Sequence, residues 1–106
     1  MGFKRQRIME DIVNTANLQL EGLLLAFGAM NRLLVEKGIA THQEVNGALA
    51  DAERAAIRSV QENALSPANR KATMFPIRLL LLANEAAEQG KDMTFADYAE
   101  MIGKLD

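Results

Sequence analysis

The chain has 106 residues, 49% hydrophobic and 25% charged, and its 12 basic and 14 acidic side chains leave a formal charge of −2. That is one domain's length, too short for most barrel or doubly wound enzymes and too apolar for intrinsic disorder. The absence of cysteine excludes disulfides, thiolate nucleophiles and zinc–thiolate sites, one histidine leaves little for a multi-His metal centre, and the balanced charge gives no global basic field for nucleic acid.

Strong helix formers dominate, and proline occurs only at Pro67 and Pro76. The composition therefore predicts an all-α antiparallel bundle of about four helices, forming a single domain over residues 1–106. The first predicted helix runs from about Arg5 to Lys37. Its apolar residues Met9, Val13, Ala16, Leu20, Leu23, Phe27, Met30 and Leu34 fall at alternating steps of four and three, a heptad seam. Ile12, Leu24 and Val35 widen that stripe. Leu18 and Leu25 lie away from it, beside Gly22, Ala26, Ala29 and Leu33. A helix apolar over so much of its circumference is buried on more than one side. Gly38 marks its end, because positive φ is cheap for glycine just past a helix C-terminus.

The connection Gly38-Ile39-Ala40-Thr41 is short, so the second helix should return antiparallel. Thr41 and Glu44 form a capping-box signature, and the helix covers about His42 to Ala64. Val45, Leu49, Ala52, Ala56 and Val60 line its predicted inner face, joined by Ala48, Ala55 and Ile57. Ser66-Pro67 reads as a capping serine followed by proline at the first helical position. Pro76 pushes Phe75 away from the α region, so the chain either makes a short turn over Pro67 to Ala72 and restarts near Phe75, or continues as one kinked helix. The first option is preferred. Leu79-Leu80-Leu81-Leu82 is apolar around the whole cylinder, which makes that helix central or interfacial. Gly90 closes it. Thr94 and Asp97 form another cap pair, and Phe95, Tyr98, Ala99, Ile102 and Leu105 share one side of a short last helix.

The stretch from Leu33-Leu34-Val35-Glu36-Lys37-Gly38-Ile39-Ala40-Thr41 through His42-Gln43-Glu44-Val45, with Ala48-Leu49 after it, resembles a helical hairpin. That hairpin occurs in N-terminal modules of type II secretion ATPases and in nitrile hydratase β subunits. The resemblance covers about 17 residues, consists of helix-capping residues, and carries over no ligand or metal position. Helical chorismate mutases are of similar length, but they would need several basic residues facing inward on the long helix. Only Arg32 lies between Arg7 and Lys37.

No catalytic constellation emerges. His42 stands at a helix start beside Gln43 and Glu44 and reads as a surface residue, lacking an orienting partner and a nucleophile. No nucleophile elbow, phosphate-cradling glycine loop or Glu-x-x-His pair is present. No catalytic, metal or cofactor residue is therefore assigned, and a non-enzymatic role is expected. Arg70, Lys71 and Arg78 cluster near a helix N-terminus and form a candidate anion site, the alternative being an anion or nucleic-acid binding module. Lys4, Arg5 and Arg7 form a second, smaller basic group, too few for a typical phosphate footprint. No uninterrupted apolar run reaches the roughly 20 residues of a membrane span, and Glu10, Asp11, Asn14, Asn17 and Gln19 break any signal-peptide core. A cytoplasmic protein without membrane or nucleic-acid partners is expected. The strongest feature is the apolar excess of the first helix, which predicts a homodimer or a protein partner docked on Leu18, Leu23, Leu25, Phe27 and Met30.

Overall fold

The computed structural model describes the backbone of residues 2–104 and the side chains of residues 15–104. Four α-helices follow one another: α1 (Gly2–Glu36), α2 (His42–Glu62), α3 (Pro67–Glu88) and α4 (Phe95–Gly103). The protein is thus an all-α helical bundle with a long N-terminal helix. The side chains of Lys4, Arg5, Arg7, Met9, Ile12 and Val13, and all of Leu105, lie outside the described residues.

Local chemistry sets the boundaries. Thr41 Oγ1 accepts from the Glu44 amide at 3.0 Å while Glu44 Oε1 accepts from the Thr41 amide at 3.0 Å, closing the capping box that starts α2. Thr94 and Asp97 repeat it at α4. Ser66 Oγ accepts from the Asn69 amide at 3.2 Å, with Pro67 behind it, at the start of α3. Three helices end in the same paired pattern. The Ile39, Leu65 and Lys91 amides donate to the Leu34, Val60 and Ala86 carbonyls, and the Gly38, Ala64 and Gly90 amides donate to Val35, Gln61 and Ala87. This motif places its middle residue in the left-handed region. Gly38 and Gly90 adopt it at φ 71° and 70°, and Ala64 adopts it at φ 52° without glycine's freedom.

α3 is central: α1, α2 and α4 each pack on it. The uniform apolarity of Leu79 to Leu82 follows from this, since each side of that cylinder meets a different neighbour. Leu24, Leu79 and Ile102 form the buried core of α1, α3 and α4, with Leu20, Phe75, Leu80, Leu82, Phe95 and Tyr98 packed against it. Phe75 meets Phe95 edge to face, with centroids 6.0 Å apart. The bond between His42 and Asn84 and the 3.7 Å ion pair between Glu53 and Arg78 make α2 and α3 an antiparallel hairpin. α1 runs in the same sense as α3. Its Leu24 meets Leu79, and its end is tied by a short link to His42 beside Asn84.

Two expectations are corrected. α2 does run antiparallel to α1, and its main packing is on α3. Its inner line is Val45, Leu49, Glu53, Ala56 and Val60, whereas Ala48, Ala52, Ala55 and Ile57 are exposed. On this line Glu53 faces Arg78 of α3, where the alanine pattern would have placed Ala52. Pro76 does not start a helix, because α3 runs unbroken from Pro67 through it. A helix-interior proline costs about 3 kcal/mol. A break would instead separate buried Met74 and half-buried Phe75 from Leu79, and each such side chain contributes roughly 1.5–3 kcal/mol by burial.

Two outcomes follow. Ala64→Gly should stabilise the protein by about 0.5–1 kcal/mol, read as a higher urea midpoint at unchanged slope, because it relieves the left-handed strain. The Thr94 amide, and secondarily its hydroxyl, hold the Asp97 carboxyl below its ordinary value of 3.8. The stability this gives is fully present above pH 4 or so and is lost as pH falls through the lower folded value. Asp97→Asn should flatten the acid limb of the urea midpoint plotted against pH.

Candidate interaction surface

α1 is unevenly covered. Leu24 is 4% exposed, but Leu18 is 67%, Leu25 62% and Phe27 51% exposed, and Leu23, Met30 and Leu33 are also open to solvent. At about 100° per residue, Leu23, Phe27 and Met30 lie roughly 60–120° to one side of Leu24, and Leu18 and Leu25 about 100–120° to the other. The chain's own core therefore does not use the whole heptad seam as its contact line. It uses Leu24 and the seam residue Leu20, with half-buried Gly28, Asn31, Leu34 and Val35, and leaves Leu23, Phe27 and Met30 of the seam as an exposed flank. All five residues expected at an interface are on the surface. Thr15 to Gln19 are likewise exposed, and the molecule extends 56 × 31 × 23 Å with a radius of gyration of 16.0 Å. A compact chain of this length would have about 13 Å.

The same stretch corrects the membrane argument drawn from uninterrupted runs. Thr15–Glu36 has a mean hydropathy of 1.3 and is long and apolar enough to cross a bilayer, with 6% of its most apolar window buried. Glu21 and Arg32 interrupt the run without outweighing its leucines.

On the Leu25 side, α1 diverges from α3 and leaves a cleft of about 330 Å³, closed at one end by the α3–α4 turn and the start of α4. Gly28, Ala83 and Ala87 create the gap by being small; a Cβ on Gly28 would meet nothing within 4 Å. Leu79, Leu80, Met93 and Phe95 give it apolar walls, and Asn31, Arg32, Lys91, Asp92 and Tyr98 its polar ones. Burial first, and then the Asp92 carboxylate, raise the Tyr98 hydroxyl above its usual pKa, with the Arg32 cation opposing them.

The basic residues of the third helix do not converge. Arg70 donates from Nε to the Leu65 carbonyl at 2.8 Å and so fixes the preceding loop. Arg78 faces Glu53 on α2. Lys71 is exposed, and about 10 Å of helix separates it from Arg78.

His42 is a half-buried latch and not a free surface residue. Asn84 Nδ2 donates to the His42 carbonyl at 2.8 Å, which orients Asn84 Oδ1 to accept from His42 Nδ1 at 2.9 Å. Asn84 is buried, and among the described residues no buried side-chain polar atom lacks a partner. The pair was not anticipated, although a signal for it is in the sequence. Asn84 is an amide set directly after the apolar run from Leu79 to Ala83, on a helix buried all round, and so requires a partner on a facing element. Among the described residues no group of three or more His, Asp or Glu side chains could hold a metal ion.

No protein-family model, curated protein or solved structure matches this chain.

His42→Ala would leave the Asn84 carbonyl unpaired in the core and should cost about 1–3 kcal/mol of stability. In a thermal or urea double-mutant cycle, His42→Ala with Asn84→Ala should cost less than the sum of the single changes.

Proposed function

We propose that this is a small non-catalytic interaction protein that forms a homodimer through the exposed faces of α1. The observation that carries this is the solvent exposure of Leu18, Leu23, Leu25, Phe27 and Met30 on one helix. With Leu33 they present roughly 600 Å² of apolar surface, as much as the largest patch a monomer ordinarily exposes. Twofold pairing on the flank of Leu23, Phe27, Met30 and Leu33 presents roughly 400 Å² of that from each copy, about 800 Å² in all, the size of a small interface to which Leu18 and Leu25 add only at the rim. A neighbour on the Leu23, Phe27 and Met30 flank would also put the heptad spacing to use, since those three are the part of the seam the intrachain core leaves open.

A second copy suits this surface better than a bilayer. Leu24 ties α1 to Leu79 and Ile102, and α3 and α4 carry Glu85, Glu88, Asp97 and Glu100 on exposed positions. A membrane around α1 would either desolvate those carboxylates or strip α1 from its core. A cytoplasmic setting belongs to the same proposal.

Light scattering should give the wild type twice the 11.6 kDa chain mass. Phe27→Glu should be monomeric with unchanged helical circular dichroism. The dimer should persist from about 50 to 500 mM salt, as apolar contacts do, whereas phosphate binding by Arg70, Lys71 and Arg78 would weaken steeply over that range. A monomeric wild type at tens of micromolar would end the proposal, and so would co-flotation with phosphatidylcholine vesicles, which would identify a bilayer as the covering surface.

A further inference from the structure

We infer that the cleft between α1 and the α3–α4 turn binds a small amphipathic carboxylate, its apolar body between Leu79, Leu80 and Phe95 and its charged head at Arg32 and Lys91. The site adjoins the dimer face at Leu25, which lines it, and is separate from the Leu23, Phe27 and Met30 flank. Gly28 and Arg32 lie on the opposite side of Leu24 from Leu23, Phe27 and Met30, at about 40° and 80° against −60° to −120°.

Volume, polarity and charge agree on the ligand. A cleft of about 330 Å³ is at the lower end of small-molecule sites and holds on the order of ten heavy atoms, taking roughly 30 Å³ for each. Its apolar walls reach the buried core at Leu24 and Leu79, so an occupant's hydrocarbon would extend that core. Among the described residues neither Arg32 nor Lys91 has an ion-pair partner. Asp92 shares the rim, so the mouth carries a net single positive charge, which favours a monoanion over a neutral molecule or a cation. A carboxylate suits a planar guanidinium, which can offer it two parallel N–H donors. The Tyr98 phenol on the same wall is protonated throughout the neutral range, as any tyrosine is, and can donate a hydrogen bond. The space is vacant because residue 28 has no side chain, and no backbone constraint demands that: Gly28 is helical and open around its Cβ position.

The test titrates octanoate and, separately, octanol into the full chain, read by calorimetry and by amide chemical shifts. Octanoate should saturate with one site per chain, bind at least tenfold more tightly than octanol, and shift residues of the α3–α4 turn. Arg32→Gln should weaken octanoate about tenfold, the factor for one lost charge-assisted hydrogen bond, and leave octanol unchanged. Gly28→Met should fill the cleft and abolish binding of both, with helicity and thermal midpoint retained because no clash is introduced. Equal affinity for octanoate and octanol would overturn the inference, as would octanoate binding that survives Gly28→Met or no saturable binding at all. Octanoate binding lost on Phe27→Glu but kept on Gly28→Met would place the molecule on the dimer face and also overturn it. A monomeric wild type that binds octanoate in the cleft would remove the dimer alone.

Discussion

Everything in this fold is arranged around the shared use of one helix. α3 supplies Leu79 to the core of α1 and α4, Asn84 to the start of α2 and Arg78 to its middle, and no other helix has comparable reach. A cylinder in contact on all sides must be apolar on all sides, which explains a run of four leucines in so small a protein. The other three helices need only one docked stripe each. α2 is amphipathic and alanine-rich on its outer face, α4 is short and capped, and both are used up by that contact. α1 is not, since it carries apolar residues well beyond the single line that meets α3.

That surplus has two distinct results. On one flank Leu23, Phe27 and Met30 stand clear of the chain in a heptad register, offering a surface with the spacing for another helix. On the other flank the small residues Gly28, Ala83 and Ala87 prevent α1 and α3 from closing, and a cleft opens over the core. Both result from the same rotation of α1, which points Leu20 and Leu24 inward instead of Leu23 and Phe27. Turning the helix by about 80° would bury Phe27 and Leu23, at the cost of losing Leu24 and exposing the core it seals.

Much of this was legible in the residues. The helix starts could be read because Thr41, Glu44, Ser66, Pro67, Thr94 and Asp97 act within four residues of themselves, where spacing in the chain is spacing in space. Two of the helix ends were equally plain, since Gly38 and Gly90 signal positive φ. The third was not, because Ala64 holds the same conformation without the signature residue. Long-range consequences were less accessible. Pro76 obeyed the tertiary burial of Met74, Phe75 and Leu79 over its local preference, and the inner line of α2, anchored by buried Val45 and Val60, admits the charged Glu53 opposite Arg78. The exposure of Leu18 and Leu25 could be anticipated by asking how much helix the other three could cover. The cleft could not, because it depends on where two helices part rather than on what either contains.

The pairing of α2 with α3 gives the molecule an internal hierarchy. Asn84, His42, Glu53 and Arg78 fasten that hairpin without any group from α1, which joins it through the short link after Glu36 and through the line of contacts along Leu20 and Leu24. Undocking α1 would therefore break one interface and spare the other. The bundle joins a hairpin fastened by its own polar bonds to an arm held by apolar contact, and releasing that arm would open the core at Leu24.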